Sequence, residues 1–151
     1  MAKDQSISGV GGWLGWFVFA LMVLGPILAI GGQEVEFTKS ELANPALKLL
    51  DSWNDYKLIA KFTVYFLVGL RIYAGYLLLN KHVSQSVKTT KKILWITGPI
   101  ATVFLNVIVV KLVFDLAPSG EVIPQIIKDT LNSLVWIWYL NKSVRVKNTY
   151  K

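Results

Sequence analysis

Between Asp4 and Glu34 the chain carries no charged side chain. The apolar run inside that interval, about residues 10–31, is long enough to cross a hydrocarbon core of about 30 Å at about 1.5 Å per helical residue. Lipid offers no hydrogen bonds to a backbone, so such a run must satisfy its own N–H and C=O groups as a transmembrane helix. It is longer than the apolar core of about 7–15 residues found in a cleaved secretory leader, and so reads as a span.

Three more runs follow. The second, about residues 58–80, is interrupted only by Lys61 and Arg71, and the third, about 93–114, is free of charge until Lys111. Both are long enough to span. The fourth, about 122–141, is harder to place, because its strongly apolar part runs only from Leu131 to Leu140. Loop charge decides it. Lys81, Lys88, Lys91 and Lys92 fill the gap after the second run, and Lys142, Arg145, Lys147 and Lys151 fill the tail, with no acid in either. Acid-free basic segments stay cytoplasmic. If both do, the chain between them crosses twice and the fourth run spans despite its polar residues. The acidic segments lie on the other side: residues 33–57 carry Glu34, Glu36, Glu41, Asp51 and Asp55 against three lysines, and residues 115–124 carry only acids.

The expectation is an all-α integral membrane protein. It has four transmembrane helices in an up-down bundle, a single domain over residues 1–151, and both termini in the cytoplasm. Asn44-Pro45 has the form of a helix start, with Leu47, Leu50 and Trp53 at helical spacing behind it, and predicts a short extracytoplasmic amphipathic helix between the first two spans.

Composition narrows the chemistry. The absence of cysteine removes disulfides and thiolate ligands, and the one histidine, His82, is expected as a solvated loop residue. No metal or cofactor site is expected. The net charge of +7 lies in the gaps between apolar runs rather than on an aromatic-studded face, so nucleic acid is not the expected partner.

The opening GVGGWLGWF lacks the preceding strand and the lysine of a phosphate-binding loop. In a membrane its parts have simpler uses. Trp13 and Trp16 suit the interface, Gly12 and Gly15 leave a smooth patch for another helix, and Gly25-Pro26 kink the span.

That opening, the later Gly25-Pro26 and the ending WIWYLNKSVRVKNTYK together resemble the two ends of a bacterial inner-membrane family catalogued as domain of unknown function twenty-five sixty-nine. The closing pattern stands here as Trp138, Tyr139, Ser143, Arg145, Val146, Lys147 and Thr149. The resemblance implies a small four-helix protein of the bacterial inner (cytoplasmic) membrane and carries no activity with it.

Asp129, Asn132, Ser133 and Trp136 share one face of the fourth helix, extended by Gln125 and Leu140, and a polar face in lipid turns inward. Counted from the cytoplasmic helix ends, Arg71 lies about 14 Å deep, Asp129 about 18 Å and Asn106 about 21 Å, so the three are expected to meet. A guanidinium at mid-membrane needs a partner, and the predicted one is Asp129. The leading reading of this pair is structural; a polar site for a solute, a proton or a lipid headgroup is the second, and residues merely reaching an interface the third. Lys61 and Lys111 are expected to snorkel. In the tail, Lys142, Arg145 and Lys147 either bind anionic lipid or fix topology, with Val144 and Val146 dipping inward.

No nucleophile with a base is found, so the expected function is non-enzymatic: an accessory or interaction subunit of a membrane assembly. The alternative is a small transporter or lipid-handling protein using Arg71, Asn106 and Asp129. The expected partners are the bilayer, anionic lipids, and another membrane protein or a second copy.

Overall fold

The computed structural model describes residues 8–117 and 119–151; Lys3, Asp4 and Pro118 lie outside them. The described residues contain helices and no strands. We number the helices α1 (Gly12–Ala43), α2 (Asp51–Asn80), α3 (Ser84–Phe114), α4 (Val122–Lys142) and α5 (Val144–Thr149). The first three are long and apolar enough to cross a membrane. α4 has 21 residues but carries Gln125, Lys128, Asp129 and Asn132 along its first half. Residue 8, the end of α2, the start of α3 and residue 151 gather at one end of the bundle, here called proximal. The other end is distal.

Proline shapes the two longest spans in the same way. Pro26 has no N–H to give the carbonyl four residues back, and just before it α1 widens into a π-helical stretch, Ala20–Leu24, where the Gly25 N–H reaches Ala20. In α3 the stretch Ile96–Ile100 holds Pro99, and Gly98 leaves helical geometry altogether (φ −102°, ψ −112°).

The helices run past the spans expected from hydropathy. α1 has 32 residues, about 48 Å, well beyond a hydrocarbon core of about 30 Å. Its last turns are held against α2 by ion pairs, Lys61–Glu34 at 2.8 Å and Lys57–Glu41 at 2.7 Å, so Lys61 pairs rather than simply snorkelling. This extension displaces the separate amphipathic helix expected after Asn44. Pro45–Leu49 is a five-residue 3₁₀ turn, the Asn44 side chain caps nothing, and α2 already begins at Asp51. Glu41 is the reason: it accepts from Trp53 Nε1 at 3.0 Å as well as from Lys57, which draws α1 and α2 together and leaves room only for a turn.

Two clusters of buried side chains result. The larger is proximal, with Leu14, Phe17 and Leu21 of α1, Ala74 and Leu78 of α2, Leu94 of α3, Leu140 of α4, and Val146 and Tyr150 of the tail. The smaller is distal and aromatic, with Phe37, Trp53 and Ala60 packed by Tyr56 and Phe114. Elsewhere large apolar side chains face outward, among them Ile27, Phe62, Phe66, Leu112, Ile123 and Trp138. Such a belt suits hydrocarbon and would be costly in water.

Candidate functional site

The break in α3 makes an acceptor at the centre of the bundle. In an unbroken helix the N–H of Ala101 would close on the carbonyl of Thr97. Here it turns to the carbonyls of Ile96 and Gly98 instead. The Thr97 carbonyl takes a side-chain donor, Arg71 Nη2 of α2, at 2.8 Å. A hydrogen bond from a charged donor to a bypassed carbonyl satisfies both groups away from water. Gly25 of α1 lies beside the guanidinium: a β-carbon there would be in ordinary contact with Arg71 Nη1 at 3.6 Å and would press on the Ala20 carbonyl at 2.9 Å.

Asp129 is held separately. Its carboxylate accepts from the Thr102 hydroxyl and from Gln125 Nε2 at 3.1 and 3.3 Å. Asn106 Nδ2 donates to the Thr102 carbonyl at 3.1 Å, and Ser133 Oγ donates to the Leu94 carbonyl at 3.2 Å. Ser133 lies directly against Gly98, where any β-carbon would collide with its hydroxyl, so glycine there lets α4 approach α3. The predicted Arg71–Asp129 ion pair does not form among the described residues. The physical reason is competition. The bypassed Thr97 carbonyl captures Arg71, while Thr102 and Gln125 supply the donors that Asp129 needs. The two side chains border the same cavity.

Between α1 and α4 these groups face open space. A cavity of about 590 Å³ is bordered by Arg71, Thr102, Asn106, Lys128, Asp129 and Asn132. Its apolar wall comes from Leu28, Val64, Leu67, Val68 and Leu105. A second cavity of about 270 Å³ shares Arg71, Asp129 and Asn132, adds Ser133, and runs toward the proximal end, where Phe17 stacks on Trp136 at 4.3 Å. Of the expected residues, Arg71, Asn106, Asp129 and Asn132 therefore border one cleft, and Ser133 stands beside it. Thr97, Thr102 and Lys128 were not foreseen. The signal for the first two was Gly98-Pro99 in mid-span, the one dipeptide there that must disturb the hydrogen-bond ladder.

Two glycines at the opening meet the C-terminal tail. Gly12 has a positive φ of 55°, and a β-carbon on it would lie 3.7 Å from the Arg145 guanidinium; one on Gly11 would lie 2.9 Å from Arg145 Nη1. Gly15 meets only the backbone of Val10. Within the chain Gly11 and Gly12 lie under the tail. Gly9 N donates to Thr149 Oγ1 at 2.9 Å, and Tyr150 Oη donates to the Leu78 carbonyl at 2.6 Å. Burial, with Tyr139 nearby, pushes the Tyr150 hydroxyl up to about 12. Val146 is buried, whereas Val144 points outward, because only one face of the six-residue α5 can meet the bundle. Lys142 and Lys147 are exposed, and His82 is an exposed residue of the α2–α3 connection.

Long apolar helices around a polar cleft define a helical membrane protein. Residues 7–151 match the family described as "Protein of unknown function (DUF2569)", and the chain belongs to that family. No curated protein and no solved structure matches it. Both end motifs of the resemblance are in contact here, the opening glycines under Arg145 and Thr149.

Proposed function

We propose that this is a non-enzymatic, four-span protein of the bacterial inner membrane, with both termini cytoplasmic, that binds the polar head of an amphiphile in its central cleft. The observation that carries this reading is the open cleft between Arg71 and Asp129. A structural ion pair would seal the centre, whereas here a guanidinium borders a cavity of about 590 Å³. Asn132, on the same wall, has no side-chain hydrogen-bond partner among the described residues, and Arg71 uses one donor of five on Thr97. At membrane depth such groups require water or a ligand. Apolar side chains from three helices share the cavity, which matches a molecule with a polar head and an apolar body.

The test is native mass spectrometry of protein released from membranes in mild detergent. Wild type is expected to retain an amphiphile. The double variant Arg71→Met, Asp129→Leu is expected to stay folded with a modestly lowered unfolding temperature, since the Thr97 carbonyl loses its donor, and to lose the ligand. An empty wild-type protein, or unchanged retention in the double variant, rejects the reading. Topology has its own check: a tag fused after Lys151 should be reached only from the cytoplasm.

The accessory-subunit reading rests on a different surface, the exposed Lys142 and Lys147 beside the docked tail. Crosslinking in native membranes that recovers only the lone chain removes it.

A further inference from the structure

We propose that the central cleft selects a singly negative phosphate, carried on the headgroup of a lipid. The proposal rests on the amphiphile reading above and adds the charge and shape of the head.

Charge comes first. Three ionisable side chains border the cavity, Arg71, Lys128 and Asp129, so its formal balance is one positive charge. Their availability is unequal. The Asp129 carboxylate is already engaged by Thr102 and Gln125 and has little left to offer a ligand cation. Arg71 keeps four donors beyond the one on Thr97, and Lys128 has no ion pair among the described residues. The cleft therefore offers cations with free donors and an anion whose oxygens are already taken. A neutral lipid leaves the excess charge uncompensated at membrane depth. A zwitterion brings a cation for which the only acid is occupied. A monoanion balances the site.

Shape comes second. Arg71 reaches the cavity from α2, whereas Lys128 and Asn132 reach it from α4. A ligand bridging both walls needs oxygens on more than one side, which a tetrahedral phosphate has and a planar carboxylate lacks. Arginine adds a fork matched to two phosphate oxygens, and lysine a point charge. The apolar wall of Leu28, Val64, Leu67, Val68 and Leu105 then favours a phosphate attached to carbon chains over the free ion.

The experiment uses the full chain carrying Lys142→Gln and Lys147→Gln, which removes two of the exposed proximal lysines that gather anionic lipid; the remaining ones are common to every variant compared. The purified protein is offered an equal mixture of a monoanionic phosphodiester lipid, a phosphocholine lipid and a diacylglycerol with matched acyl chains. Retention is read by native mass spectrometry. The monoanionic lipid is expected to be retained about tenfold over either of the others. Lys128→Glu, a change at an exposed position, should abolish that preference with the fold intact. Equal retention of all three, with retention still lost in Arg71→Met, Asp129→Leu, overturns the charge selectivity and leaves the amphiphile reading standing. No retention of any lipid overturns both. A parallel arm adds inorganic phosphate: displacement of the lipid at equal concentration keeps the phosphate chemistry but overturns the lipid as its source.

Discussion

At the distal end Glu41 accepts from Lys57 at 2.7 Å and from Trp53 at 3.0 Å, whereas at the centre Arg71 and Asp129 border one cavity without closing a pair. The side-chain chemistry is similar and the outcome opposite. At the distal end the charges sit on the last turns of α1 and the first turns of α2, where flexible lysine stems reach across the gap and aromatic rings pack beneath them. At the centre the charges project from helices fixed in position by packing, and nearer partners win. A carbonyl bypassed by the Gly98-Pro99 break and a threonine hydroxyl one turn further along capture one charge each. Complementary charges bordering one cavity need not pair if nearby backbone and side chains offer acceptors and donors of their own. The space left over is then a site.

Four measurements separate the distal end, the centre and the proximal dock. The largest effect is expected at the distal end. Trp53→Ala removes the ring that packs on Phe37 and stacks on Tyr56, and the loss should be about 3–5 kcal/mol, read as a drop in unfolding temperature in detergent. If the distal end is instead loosely held, the drop will be small. Next comes the centre. Gly98→Val forces a side chain against Ser133, and the resulting separation of α3 from α4 should cost about 1–3 kcal/mol and release Arg71 from Thr97. Accessibility of a reporter at Asn132 to a polar reagent is expected to rise with it.

The proximal dock provides a third region for comparison. Tyr150→Phe leaves the Leu78 carbonyl without its donor, at a cost of about 1 kcal/mol. Because the hydroxyl titrates at about 12 in place of 10.0, its contribution is present below pH 10 and is lost as pH rises toward 12. The variant should lack that alkaline loss. The smallest effect concerns Glu41, whose hydrogen bonds with Lys57 and then Trp53 hold its carboxyl below the ordinary value of 4.5. A depressed carboxyl contributes above its unfolded pKa and loses that contribution as pH falls through the folded one, so acid should loosen the distal end before the proximal dock. Local hydrogen exchange at residues 41–57 checks the order.

Much of the fold was legible because lipid leaves the chain few choices. The apolar runs predict the helices, and α1, α2 and α3 meet the length and apolarity of a crossing. Helix ends were less legible, because hydropathy reports where lipid stops and says nothing of turns that continue into water under ion pairs, as those up to Ala43 do. Residues of the central cleft could be listed from their depth and polarity. Their partners could not, because a hydrogen bond to Thr97 depends on a carbonyl whose availability is invisible until the path of α3 through Pro99 is known.

The family and the helical class were readable from the chain alone, since they follow from local motifs, from composition and from the intolerance of hydrocarbon for unpaired polar groups. Packing between distant segments set the position of Arg145 over the opening glycines and kept Arg71 and Asp129 from pairing among the described residues. Those outcomes depend on which of several competing partners lies within about 3 Å, a difference set by packing between segments far apart in the chain.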